Sequence, residues 1–435
     1  MRSWLPFSIV TAIAALTAAS AQGGPPPPPN ELYGFITSNR TLTAASPGPF
    51  YFVIGDLVVQ PGVTLSIEPG VTLEFRANAD TLKGGNYPTK CELIVNGALL
   101  GVGSATDSIR LVSSSSGSSD WGGLDLTAGG TCTLAYVGLR GAIQGIVGGG
   151  INLSNSSVTT GDGTFGVYGT SGVSVSHCVL NGTALYGIRN TSAGAVISDS
   201  ELSGFTTAIE LSGSPNTVLH VSASNVTNGC SSGYTTSLRE CSFTGRSTSS
   251  GFGVWFAGAT STAPSDSLAP MPTVVSGFQY GIRIDGTVRN LVAYGNATGV
   301  YGRGTVYYCT IAKNGTGIEG DGGAINVLNT ITALNTGLGV FGEGAYPSYN
   351  AVVDYSDSWG NGAGNIGAYV TRGAHVASFD PFFQSSGTND YRLLPNSVFR
   401  TFSVSGGEIG GYGPGPGLPV LAQVSTWGRI KAAYR

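Results

Sequence analysis

At 435 residues the chain is long enough for a large core, yet only 10% of it is charged and 69 residues are glycine, where a compact enzyme carries nearer a quarter charged residues. A net charge of −4 and a pI of about 5.4 offer nothing to attract nucleic acid or an anionic membrane surface, so neither is an expected partner. Low charge with abundant Gly, Ser, Thr and Val suits turns and stacked strands.

The first 21 residues read as an export signal: Arg2, an apolar run from Phe7 to Ala19, and the small-residue site Ala19-Ser20-Ala21. The run falls short of the ~20 residues that span a bilayer, and no second hydrophobic span follows, so a secreted or cell-surface location without a membrane span is expected. Residues 22–33, with Pro25 to Pro29, form an extended Pro-rich linker. A folded region is expected over 34–413.

Strand text begins near Tyr51. Phe52, Ile54, Leu57 and Val59 are apolar, Gln60-Pro61-Gly62 breaks the run, Val63 to Ile67 alternates, Glu68-Pro69-Gly70 breaks again, and Val71 to Phe75 resumes the alternation. The segment from Gly34 to Tyr51 is expected to close the first coil.

Beyond it one pattern returns in register. Gly145-Ile146, Gly166-Val167, Gly187-Ile188, Ala208-Ile209 and Gly229-Cys230 pair a small with an apolar residue every 21 residues, and the pattern continues at Val254, Ile282, Val300, Ile318 and Leu338 with steps of 24, 28, 18, 18 and 20. Such a period, built of short β-rich pieces, is the mark of a solenoid whose turns bury their apolar side only by stacking. Residues 53 to 345 at 21 per turn give about 14 coils, a rod of about 65 Å. Within a coil, Val173-x-Val175, Cys178-x-Leu180 and Gly187-Ile188 are three short strands, and Ser200-x-Leu202, Cys241-x-Phe243 and Cys309-x-Ile311 repeat the middle pair. Asn296, Asn314 and Asn335 precede their register residues by three or four positions, which predicts an asparagine ladder from coil to coil. The Pro-rich stretch Ala257 to Pro272 reads as an insertion standing off the rod.

Gly55 to Val59, Gly62 to Val71, Leu93 to Leu99, Ile109 to Ser113 and Asp120-Trp121-Gly122-Gly123-Leu124 resemble the opening coils of secreted bacterial right-handed parallel β-helix repeat proteins. Tyr355 to Asn361, Asp380-Pro381-Phe382-Phe383, Asp390 to Leu393 and Ile409 to Gly413 resemble that family's closing segment. The resemblance implies an all-β, single-stranded, right-handed parallel β-helix of the pectin-lyase-like type with N- and C-terminal caps. Such folds host lyases, hydrolases and adhesins alike, so it implies little about function. At Ser397 to Arg400 the chain departs from the family, which tends to have Ser-Pro and a short Ala/Gly stretch. The closing aromatics are expected to cover the apolar interior of the last coil. Residues 414–435 read as a Gly/Pro linker and a short basic tail with a sorting or anchoring role as one reading.

Six cysteines in an exported chain invite disulfides, but Cys178 and Cys241 lie about three coils apart, some 14 Å, beyond the reach of a bridge. Cys91 and Cys132 are the remaining candidate pair. His177, His220 and His375 show no metal-ligand spacing, so no metal and no cofactor is expected, with calcium held by loops of distant coils the open alternative.

If Ile282, Val300 and Ile318 point inward, Arg283, Tyr301 and Glu319 form one outward column and Asp285, Arg303 and Asp321 a second. The second column would place Asp285 and Asp321 about 9.6 Å apart, near the top of the inverting-glycosidase range of ~6.5–9.5 Å. Arg303 between them would keep both ionised, against what an acid catalyst needs. Asp285, Glu319 and Asp321 are therefore weak catalytic candidates, and Arg283, Tyr301 and Arg303 weak ligand-binding candidates. Arg189 and Glu210 repeat the adjacent-coil pairing, which favours a structural charge ladder. The sequence is read as a non-enzymatic exported rod with a structural, adhesive or glycan-binding role, its partner a polysaccharide or cell-envelope component; a polysaccharide lyase or glycoside hydrolase is the alternative. Oligomeric state leaves no trace in it.

Overall fold

The computed structural model describes residues 30–45, 48–127, 129–234, 236–257, 272–344 and 350–412. The expected export signal, most of the expected Pro-rich linker, nearly all of the expected 257–272 insertion and the 414–435 tail lie outside the described residues.

The chain is a parallel β-helix with three strands per coil. The first sheet runs from Gly34–Ile36 through fifteen rungs to Gly364–Ile366, one more coil than the period predicts. Fourteen intervals of ~4.8 Å make it about 67 Å long. The register is the predicted one from Ile146 through Val167, Ile188, Ile209, Cys230, Val254, Ile282 and Val300 to Ile318. It then passes to Val340, not to Leu338. The long steps at 254 and 282 belong to coils whose connections are longer, and the inward column does not break there.

Each inward residue of this column from Ile146 to Val340 is fully buried; burying a Val or Ile side chain contributes about 1.5–3 kcal/mol. The small residue before it answers a close approach. A Cβ at Gly145 would stand 2.0 Å from the Gly166 carbonyl oxygen, one at Gly229 2.2 Å from that of Gly253, and one at Gly317 2.2 Å from that of Gly339. Stacked backbones leave no room there, so the sequence repeat is a packing repeat.

The corner between the second and third sheets is a single residue in the left-handed region. Tyr136, Asn155, His177, Asp199, His220, Glu240, Asn290, Tyr308, Asn329 and Tyr355 occupy it in ten coils with φ from 46° to 55°. Each directly follows a second-sheet strand, as in Ile146–Ser154 and Phe165–Ser176. A non-glycine residue held there costs of order 1–3 kcal/mol, and the next corner position offsets it. The hydroxyls of Ser156, Ser200, Thr273 and Thr330 accept the backbone N–H of Val137, Cys178, Cys241 and Cys309 one coil back, at 3.0–3.3 Å.

The asparagine ladder forms as predicted and runs further. Nδ2 of Asn296 donates to Oδ1 of Asn314 (3.0 Å), Asn314 to Asn335 (3.1 Å), Asn335 to Asn361 (2.8 Å) and Asn361 to Asn365 (3.0 Å).

Three expectations need correction. All six cysteines are free and buried; Cys91 does not meet Cys132, because Cys91 leads into the first-sheet strand Glu92–Val95 while Cys132 sits in the second-sheet strand Thr131–Ala135 of the next turn. Gly34 to Tyr51 is not a lid. It supplies strands to all three sheets and so is the first coil itself. The closing aromatics do not cover the last coil end-on. Residues 379–412 fold back along the outside of the third sheet, where Phe399, Leu393 and Ile409 pack on Ile331 and Ala333, and Tyr391 packs on Val292 and Ala312. These third-sheet residues point outward and are apolar, so the segment buries a side of the rod. Ser397 to Arg400, where the family resemblance lapses, begins a short 3-10 turn that places buried Phe399 in this contact.

Candidate functional site

Because the inward register is fixed, the residue after each inward position faces outward. On the first sheet that column reads Tyr168, Arg189, Glu210, Ser231, Trp255, Arg283, Tyr301, Glu319 and Phe341. From Tyr168 to Glu319 it covers seven intervals, about 34 Å. Beside it runs a second outward column with Phe165, Tyr186, Phe252 and Tyr280.

These side chains assemble into two patches. In the first, Phe165 stacks on Tyr168 at 4.4 Å and on Tyr186 at 5.8 Å, and the Arg189 guanidinium lies 4.8 Å from the Tyr186 ring. Arg189 Nε meets Glu210 Oε1 at 2.8 Å, the pairing expected from the repeat. In the second, Phe252 meets Trp255 edge-on at 5.5 Å, Arg283 lies 5.1 Å from the Trp255 ring, and Tyr280 and Tyr301 are 4.4 Å apart. Arg283 is exposed, while the aromatics around it are half-buried.

The first predicted column, Arg283, Tyr301 and Glu319, is present in register. The second is present only in part. Asp285 and Arg303 are partners, and Arg303 donates to both carboxylate oxygens at 2.8 and 2.7 Å, which with its charge holds Asp285 below the usual carboxylate range. Asp321 leaves the ladder. Gly302 pairs with Gly320 but Gly304 pairs with Ile325, so the intervening residues make an excursion from the rod. Arg303 also donates to the Gly322 carbonyl at 3.2 Å, pinning that excursion. The predicted 9.6 Å carboxylate pair across Arg303 therefore does not form.

Asp321 instead joins Tyr301 and Glu319. Its hydrogen bond to the Tyr301 hydroxyl, with burial, raises that phenol's pKa. Burial and the nearby Asp321 charge raise Glu319. Among the described residues no group of His, Cys, Asp and Glu could hold a metal ion.

Asp120, beside Trp121, serves the fold. Trp121 is fully buried, stacks on Phe75 at 3.9 Å and donates Nε1–H to the Arg140 carbonyl. Burial would raise Asp120, but the Ser115 and Ser113 hydroxyls and the Asn78 amide bring it below its ordinary value. The aromatic half of the face is what sequence reasoning missed. The signal was available: every member stands one place after, or two before, a register residue.

No protein-family model matches the chain, and no curated protein matches it in sequence. Among solved structures it is similar to the periplasmic alginate epimerase AlgG, at 12% identity and a TM-score of 0.40 over 76% of this chain and 78% of that one. It is similar to the catalytic domain of a GH87 α-1,3-glucanase in complex with nigerose, at 14% identity and 0.36 over 82% and 69%. It is also similar to the pectate lyase Pel9A, at 14% identity and 0.31 over 81% and 88%. The chain's own strand pairings make it a parallel β-helix; ligand and reaction do not transfer at these identities.

Proposed function

We propose that this is an exported β-helix rod that binds a polysaccharide along the outer face of the first sheet without cleaving it. The observation that carries this reading is the row of half-buried aromatic rings and charged groups from Tyr168 to Glu319. Aromatic rings offer flat apolar surface to the C–H faces of sugar rings, and Arg and Glu beside them offer fixed donors and acceptors to hydroxyls. The row is about 34 Å long and unbranched, which fits a chain ligand better than a small molecule.

The distribution of acids supports binding over turnover. Asp285 is clamped by Arg303. Glu210 and Glu319 are five rungs apart, about 24 Å, against ~5–9.5 Å for the paired carboxylates of glycosidases. One observation favours the second reading, hydrolysis or lyase chemistry: Glu319, raised by burial and by the Asp321 charge, stands beside a second acid and the Tyr301 phenol.

Soluble polysaccharides scored for new reducing or unsaturated ends separate the two. Wild type should retain a glycan and release nothing. Turnover lost in a folded Glu319→Gln/Asp321→Asn variant would replace the binding reading with the enzymatic one.

A further inference from the structure

The aromatic side chains on the outer face of the first sheet fall into two groups with a polar gap between them. Phe165, Tyr168 and Tyr186 stand on the rungs of Val167 and Ile188, and Phe252, Trp255, Tyr280 and Tyr301 on those of Val254, Ile282 and Val300. The two rungs between, at Ile209 and Cys230, present Thr207, Glu210, Asn228 and Ser231. Three intervals of ~4.8 Å therefore separate Tyr186 from Phe252, about 14 Å. That gap is fixed, because strand pairing is continuous from Ile188 to Val254 and Asn228 Nδ2 donates to Thr207 Oγ1 within it at 3.1 Å.

The row has a defined start. Asn86 Nδ2 donates to Asp125 Oδ2 at 2.6 Å and the Tyr87 hydroxyl meets Gln144 Nε2, so residues 86 and 87 lie over the rungs of Leu124 and Ile146, the two before Val167. Beyond that cover the aromatic row runs for seven rungs, Val167 to Val300, about 29 Å. It is straight, because parallel pairing sets each outward side chain in line with the last. One coil step is close to the advance of one sugar in a fully extended chain. A β-1,4-linked glycan is such a ribbon, with C–H groups on both flat sides, whereas an α-linked chain coils away from the line.

Charge on this face disfavours a polyanion. The Arg189 and Arg283 guanidiniums are set against the Glu210, Glu319 and Asp321 carboxylates. Arg189 is already paired with Glu210 at 2.8 Å, and Arg283 lies against the Trp255 ring two rungs from Glu319. The face thus has no net positive charge, and the whole chain carries −4. A polyuronate or sulfated chain would set its own charges against these acids.

We propose that the two aromatic groups are two subsites for one neutral, β-1,4-linked glycan, about seven sugars long, that lies along the rod axis and crosses the polar rungs between them. This rests on the polysaccharide-binding function proposed above. Neither group spans more than three rungs, so a fragment of three sugars engages one of them and a fragment of seven engages both. Joining the two contacts in one ligand makes the second intramolecular, which raises affinity without any new kind of contact.

Cello-, xylo- and manno-oligosaccharides of three and seven units, and oligogalacturonates of the same lengths, are titrated against the full chain by calorimetry. At least one neutral series should bind, its seven-unit member at least tenfold tighter than its three-unit member, and the oligogalacturonates at least tenfold more weakly. Tyr168→Ala/Tyr186→Ala should remove the length dependence, weakening the seven-unit ligand at least tenfold and the three-unit ligand far less. If that variant fails to fold, Tyr186→Ala alone should weaken the seven-unit ligand at least threefold and narrow the same ratio. A seven-unit ligand no tighter than the three-unit one, equal losses at both lengths in the folded variant, or tighter binding of the galacturonates would each overturn the two-subsite proposal and leave polysaccharide binding standing. No binding in any neutral series would overturn it as well, and polysaccharide binding falls with it only if no polymer is retained either.

Discussion

Replacing Asn314 by Ala tests what the interior ladder contributes. Its Oδ1 accepts the backbone N–H and Nδ2–H of Asn296, both at 3.0 Å, and its Nδ2 donates to the Ala293 and Ala312 carbonyls and to Asn335 Oδ1 at 3.0–3.1 Å. Alanine removes all five contacts. The Asn296 side chain keeps the Val275 and Tyr294 carbonyls, but its backbone N–H loses its partner at a site that is 3% exposed. One orphaned buried donor costs about 1–3 kcal/mol and each of the four other lost bonds about 0.5–1.5, so Asn314→Ala should destabilise by about 3–9 kcal/mol. Asn365 ends the ladder half-exposed, where water takes over its contacts, and Asn365→Ala should cost about 1 kcal/mol or less. Urea unfolding followed by circular dichroism reads both. Equal losses for the two variants, or a loss under about 1 kcal/mol for Asn314→Ala, would refute the claim that buried side-chain bonds between coils hold this end of the rod.

Asp357 is 1% exposed, its Oδ1 accepts the Phe379 N–H and its Oδ2 has no partner among the described residues; burial pushes its pKa up to about 7 from 3.8. A raised folded-state pKa means stability is full below the unfolded value near 4 and is lost as pH rises through about 7. Asp357→Asn should therefore stabilise at pH 8 by up to about 4 kcal/mol and change little at pH 4, a difference that thermal unfolding at the two pH values reads. Asp56 and Glu92, raised mainly by burial to about 6 and about 7, act in the same direction. Both hold the 80–91 segment by accepting backbone N–H groups of Gly84 and Tyr87, so its protection from hydrogen exchange, after division by the base-catalysed rate of a free peptide, should fall above pH 7. The thiols should be silent towards a thiol reagent in the native protein and all six should react on unfolding, with no change of mass on reduction; burial alone pushes Cys309 up to about 12. A pair that reacts only after reductant would refute the free-thiol reading.

The coil period was legible because its cause is local and repeats: glycine where two backbones nearly touch, then a Val or Ile that must be covered. The asparagine ladder was legible for the same reason, and so was the Arg283, Tyr301 and Glu319 column, which follows from register alone. Asp321 was misplaced because a bulge shifts partners without altering residue types, and nothing in Gly320-Asp321-Gly322-Gly323 distinguishes an excursion from a turn within the ladder. The left-handed corner carries Tyr, His and Glu as often as Asn or Asp and never glycine in these ten coils, so no one residue type marks it. The fold-back of residues 379–412 leaves no local signal because Val292, Ala312 and Ile331 are outward-facing apolar residues, and their cover is about 60 to 100 residues away in sequence. The same fold-back brings the Val404 N–H to Asn329.

The most direct test of the account is retention of soluble and insoluble polysaccharides by wild type and by a Trp255→Ala/Tyr301→Ala variant that keeps its circular dichroism spectrum. The face predicts that wild type holds at least one glycan and that the variant holds it at least tenfold more weakly, with no new chain ends from either. Retention unchanged in the variant, or no glycan held by wild type, would contradict it.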